Sequence, residues 1–167
     1  MHDVLASAAR LDPRNPAVQE VLGALEASRV DRRDILEDGI GRLRASLRMR
    51  PASPYGWTTL ARAKYAAGDI GPEFQAALVN ASLLGPNEPQ VQATVADLGL
   101  AAWDDLAPQA RRTIDFMVGQ AVRRDAAQTL RLAERRGRLD LACRHLAGAS
   151  RPSHPTEKQL CPTEATS

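Results

Sequence analysis

The chain has 167 residues, a formal charge of +2 and 44% hydrophobic residues, with only 4% aromatic. That length suits a domain of ordinary size with a core of its own. The near-zero charge excludes a general attraction to nucleic acid or anionic membrane, and no apolar run reaches the roughly 18 residues needed to span a bilayer. The opening MHDVLASAARLDPRNP lacks a basic stretch followed by an apolar one, so it does not read as a signal peptide. The expected compartment is therefore the cytoplasm, or the periplasm if an N-terminal anchor precedes the chain. Two cysteines, Cys143 and Cys161, are too few for a disulfide framework.

Ala and Leu dominate the apolar set, and both lose little entropy in a helix. No alternating apolar run argues for a strand, so the chain is expected to be all-α. Proline pairs divide it: LDPRNP, RMRPASP and LGPNEP each carry two prolines three residues apart. Their first members, Pro13, Pro51 and Pro86, stand 38 and 35 residues apart. Spacings of this size mark stacked supersecondary units.

Residues 1–13 read as a helix closing at LDP. In the next unit, about 16–51, Val18, Val21, Leu22 and Leu25 form one apolar stripe and Leu36, Ile40, Leu43 and Leu47 a second, with a break from Ser28 to Asp34. Asp34 stands where a helix cap belongs. The unit 54–87 has Trp57, Leu60, Ala61 and Tyr65, a Gly68-Asp69 turn, Pro72 in a first-turn position, and Phe74, Ala77, Leu78, Ala81 and Leu84. Each unit is thus a helical hairpin. Trp57 and Tyr65 are expected to fill the space between the helices. A third unit, about 88–124, runs from EPQVQATVADLGLAAW into a helix beginning near Pro108, striped by Ile114, Met117, Val118, Ala121 and Val122. Two shorter helices over 125–148 form a cap, with Leu139, Ala142, Cys143 and Leu146 on one face. Residues 149–167 hold three prolines and few apolar residues, the composition of a disordered tail.

Residues 54–87 resemble the tetratricopeptide repeat, a helix-turn-helix unit of about 34 residues. The resemblance rests on Trp57, Leu60, Ala61, Tyr65, Gly68-Asp69, Ala81 and Pro86-Asn87, with Tyr65 one place late and one extra residue in the turn GDIGP. In the first unit only Leu22-Gly23 and Pro51 match. The resemblance implies that residues 1–148 form a short right-handed stack of hairpins whose first helices line a concave groove. By position, Tyr55, Thr58, Arg62 and Tyr65 would face that groove from the central unit, Glu20 from the first, and Gln90 and Asp97 from the third. The implied function is non-catalytic protein–protein interaction, holding a peptide or partner helix. The groove lacks the Lys and Asn set with which some family members clamp a terminal carboxylate. The segment AAWDDLAPQARR is further similar to tetratricopeptide proteins of bacterial exopolysaccharide gene clusters, which implies a scaffold in polysaccharide biosynthesis or secretion.

Other chemistry finds less in the sequence. Asp31, Asp34, Glu37 and Asp38 read as a charged first helical turn rather than an acid–base pair, since no histidine accompanies them. Cys143, His145, His154 and Cys161 lack the tight spacing of a zinc site, and no oxidised pair is expected either. No phosphate loop, nucleophile elbow or His-Glu metal motif is present. No enzyme, cofactor or small-molecule ligand is therefore expected. Arg123, Arg124, Arg131, Arg135, Arg136 and Arg138 give the alternative, a nucleic-acid face. Asp125, Glu134 and Asp140 are interleaved with them and no aromatic is there to stack bases, so a solvated helix surface is the reading preferred.

Overall fold

The structure, a computed structural model, describes residues 2–28, 33–147 and 155–161. All regular structure among them is helical, as the sequence led us to expect. In chain order the helices are α1 (His2–Leu11), α2 (Pro16–Ala27), α3 (Arg33–Met49), α4 (Pro54–Ala66), α5 (Pro72–Leu84), α6 (Pro89–Ala101), α7 (Pro108–Arg124), α8 (Ala126–Arg135), α9 (Leu139–Ala147) and α10 (Pro155–Leu160). A single 3-10 turn, Trp103–Asp105, precedes α7.

Proline sets where these helices start. Pro16, Pro54, Pro72, Pro89 and Pro108 each occupy the first helical turn, where a missing N–H leaves nothing unpaired. Asn15 and Ser53 cap two of these starts with side-chain oxygens. Asp34, expected as a cap, lies inside the first turn of α3, where its charge still complements the helix dipole. Gly68, with φ of 73°, supplies the left-handed residue that ends α4 and turns the chain toward α5.

Two compact units result, residues 1–85 and 86–167. In the first, α2 pairs with α3 and α4 with α5; α1 lies on α2, α3 on α4, and α2 also touches α4. In the second, α6 pairs with α7 and α8 with α9; α7 also packs on α8 and α9, and α10 lies on α8. The expected stripes of α3 (Leu36, Ile40, Leu43, Leu47) and α7 (Ile114, Met117, Val118, Ala121, Val122) are buried throughout. At the α2–α3 crossing, a Cβ on Gly39 would lie 2.7 Å from the Ala27 nitrogen and 2.8 Å from the Gly23 oxygen. Only hydrogen fits there, and the two backbones touch.

Several expectations are corrected. Val21 is 52% exposed and Leu84 42% exposed, although both were placed on apolar stripes. The buried arc of α2 instead includes Gln19 and Glu26, because both hydrogen-bond Arg42 of α3. Trp57 is half-buried rather than a filler between helices, because it stands at the edge of the buried arc of α4, over the preceding turn. Its indole N–H donates to the Pro51 carbonyl at 2.8 Å. The tail reading fails over residues 155–161: these form α10 and its following residue, fastened by a disulfide between Cys143 and Cys161. The remainder of 149–167 lies outside the described residues.

The proline pairs share a feature at atomic scale. Gln19 Nε2 donates to the Pro13 carbonyl at 3.1 Å, Trp57 Nε1 to Pro51, and Gln92 Nε2 to Pro86 at 2.6 Å. In each case a side-chain N–H six residues on closes the turn that the proline pair opens. The two glutamines also accept from an arginine of the next helix: Arg42 Nη1 at 3.2 Å from Gln19 and Arg124 Nε at 2.8 Å from Gln92. Tryptophan has no acceptor to offer, and the middle hairpin closes with the donor alone.

Candidate interaction surface

In the first unit, α4 carries four of the expected groove residues. A helix advances about 100° per residue, so positions 55, 59, 62 and 66 fall within about 60° of arc. Tyr55, 42% exposed, and Arg62, exposed, occupy this strip two turns apart. Arg62 has no hydrogen-bond or ion-pair partner among the described residues. Thr58 does not join them. It is buried, and its hydroxyl donates to the Tyr55 carbonyl at 2.9 Å. The reason is that α4 is packed against by α2, α3 and α5, so its buried arc is wide and takes in Gly56, Thr58, Leu60, Ala61, Ala63 and Lys64. Tyr65 is half-buried, with its ring centroid 6.2 Å from that of Phe74. Glu20 on α2 is half-buried and 3.6 Å from Arg50. In the second unit, Gln90 is exposed at the start of α6, while Asp97 is paired with Arg136 at 2.7 Å.

The strongest electrostatics of the first unit were not anticipated. Lys64 is buried, 5% exposed, and pairs with Asp69 across the turn and with Glu73 of α5 at 2.8 Å. Arg44 of α3 grips the same Glu73 with two parallel hydrogen bonds of 2.6 and 2.5 Å. The Arg44 bonds, then that from Lys64, hold the Glu73 carboxyl at about 2 against the opposing effect of burial. Asp69 is lowered by its Lys64 hydrogen bond and then by the Gly71 amide. Burial works to lower Lys64, but its bonds to Asp69 and Glu73 outweigh that and raise it. One carboxylate thereby fastens α3, α4 and α5 together. A cleft of about 380 Å³ opens beside the cluster, between the α3 face of Arg33, Glu37 and Ile40 and the turn at Ala67 and Asp69. The available signal was Lys64 itself, a lysine in an arginine-rich chain five residues before Asp69.

In the second unit, four of the six arginines offered as a basic face have partners. Arg124 binds Gln92 and the Asn87 carbonyl, Arg136 binds Asp97, Arg138 pairs with Asp104, and Arg131 Nη1 lies 3.5 Å from Thr156 Oγ1. Asp34, Glu37 and Asp38 lie at the start of α3, and Asp31 and His154 lie outside the described residues. His145 Nε2 is 3.0 Å from Asp115. Among the described residues no group of three or more metal-binding side chains converges, and no helix is long and apolar enough to cross a membrane.

The chain matches no protein-family model, no curated protein and no solved structure.

Proposed function

We propose that the chain is a non-catalytic protein-interaction module of tetratricopeptide-like architecture, which holds a peptide or partner helix on the surface that α2 and α4 present. The observation that carries this reading is the α4 strip. An exposed tyrosine and an exposed, unpartnered arginine share one face, and such side chains are the usual energetic anchors of interfaces. The pairing of α2 with α4 supports a surface built from the first helices of two successive hairpins, as a repeat stack requires. The resemblance of AAWDDLAPQARR adds a biological setting, a scaffold in bacterial polysaccharide biosynthesis or secretion. Nucleic-acid binding through the C-terminal arginines has less support, because most of that charge is held by partners within the unit. The disulfide favours the periplasmic alternative over the cytoplasm, since such bonds persist in oxidising compartments.

The test is binding of a captured partner to Tyr55→Ala and Arg62→Ala. Each is expected to weaken binding by about 30-fold, equivalent to about 2 kcal/mol, with the melting temperature nearly unchanged because neither side chain is buried. Wild-type affinity in both variants would refute the assignment of this face.

A further inference from the structure

α7 of the second unit buries one arc and leaves the opposite one bare. Ile114, Met117, Val118, Ala121 and Val122 are buried. At about 100° per residue, positions 109, 112, 116, 120 and 123 fall within about 80° of arc on the far side. At the centre stands Phe116, 53% exposed, whereas the chain's other phenylalanine, Phe74, is fully buried. Arg112 lies one turn before it and Arg123 two turns after it. Both are exposed, and neither has a hydrogen-bond or ion-pair partner among the described residues. Other arginines of the unit are held: Arg111 by the Trp103 and Asp104 carbonyls, Arg136 by Asp97 and Arg138 by Asp104. Gln109 and Gln120 complete the strip, which therefore carries no acid. The single carboxylate of α7, Asp115, is turned about 100° away from Phe116. It is engaged by His145 at 3.0 Å and Arg144 at 3.7 Å.

We propose that this strip of α7 is a second docking surface, and that its occupant is an acidic amphipathic helix of a partner protein. Exposed aromatic and arginine side chains are the usual anchors of an interface. Two cations with no counter-charge on the strip call for carboxylates opposite them. The spacing selects a helix. At about 1.5 Å per residue, Arg112 and Arg123 stand about 16.5 Å apart along α7, with Phe116 between them. A partner helix lying along α7 meets both with carboxylates about eleven residues apart on one face, and sets an apolar residue between them on the Phe116 ring. A single-stranded nucleic acid fits less well. It offers a phosphate at every nucleotide, of which two arginines engage few, and one ring stacks on one base. The chain's charge of +2 supplies no wider field for a polyanion.

The probe is a fluorescein-labelled, alanine-based helical peptide with two glutamates at that spacing and a leucine between them, titrated with the full chain and followed by anisotropy. The same peptide with glutamines in place of the glutamates is expected to bind at least about 5-fold more weakly. Phe116→Ala and Arg112→Gln should weaken binding of the glutamate peptide by about 10-fold and about 3-fold. Their melting temperatures should stay near wild type, because both side chains are exposed. Arg48→Gln, which removes an exposed charge from α3 in the first unit, should bind as wild type. No binding of the glutamate peptide, equal binding of the two peptides, or a loss in Arg48→Gln as large as in Arg112→Gln would overturn the proposal. So would tighter binding of an oligothymidine of similar length, which would make the occupant a nucleic acid. A concentration-dependent dimer abolished by Phe116→Ala would also overturn it, by making the occupant a second copy of the chain.

Discussion

Gln92 is the clearest test of the polar turn closures. It is 2% exposed, donates to the Pro86 carbonyl at 2.6 Å and accepts from Arg124 at 2.8 Å. Gln92→Ala removes both bonds. Arg124 is exposed and recovers water, so its loss is small. The half-buried Pro86 loses the donor to its carbonyl. Net hydrogen bonds contribute about 1 kcal/mol each, and a stranded buried acceptor costs about 1–3 kcal/mol. Loss of one buried methylene adds about 0.8 kcal/mol. The expected destabilisation is about 3 kcal/mol. The two tryptophans lie one in each unit, Trp57 in the first and Trp103 in the second, so in a Trp57→Phe background Trp103 fluorescence follows the second unit alone during urea unfolding. Gln92→Glu keeps an acceptor for Arg124 but sets an oxygen against the Pro86 carbonyl, and should remain destabilised. A shift below about 0.5 kcal/mol, the scale of an ordinary surface substitution, would show that the closure adds nothing.

Trp57→Phe itself should cost about 1 kcal/mol in urea unfolding of the first unit, since it keeps most of a half-buried ring and loses one N–H bond to Pro51. Glu73→Gln tests the ion cluster by its pH dependence. Because folding lowers the Glu73 carboxyl from 4.5 to about 2, its stabilisation is complete above about pH 4.5 and disappears as pH falls through 2. The wild-type advantage should therefore shrink across that window, from a plateau held to about 1 kcal/mol by solvent at a group 36% exposed; an advantage that grows on acidification would contradict the assignment. Gly39→Ala should destabilise by about 1–3 kcal/mol, because the added carbon meets backbone. Gly41→Ala, two residues on with nothing within 4 Å of its new carbon, should stabilise by about 0.5–1 kcal/mol; thermal melts of the pair decide it.

The helices were legible because the signals that make them are local. A proline in the first turn and apolar residues every three to four positions act within one helix, and Pro16, Pro54, Pro72, Pro89 and Pro108 mark helix starts in the structure as in the sequence. What the sequence hid was set by neighbours. Thr58 was aimed at a groove by its place in the repeat, yet the packing of α2, α3 and α5 around α4 buried it. The disulfide was invisible for a different reason. Cys161 sits in a polar, proline-containing stretch that carries no helical period, and only the docking of α10 brings it to Cys143. Of the candidate site, Tyr55, Arg62 and Gln90 are exposed, while Thr58 is buried by the helices around it.

The repetition in this chain is carried as much by polar turns as by apolar stripes. The apolar residues differ from hairpin to hairpin: α2 buries Leu22 beside Gln19 and Glu26, α4 buries Leu60 beside Lys64, and α6 buries Val91 and Val95 beside Gln92. The proline pair and the donor six residues later recur in all three. A proline pair fixes φ twice but leaves the carbonyl of its first proline with no helical partner, and in each turn a side-chain N–H six residues on supplies one. A donor at that spacing closes the turn of each hairpin, whereas many apolar combinations fill a core equally well. Trp57 answers the same requirement as Gln19 and Gln92. Its place in the chain is explained by its N–H to the Pro51 carbonyl rather than by its ring.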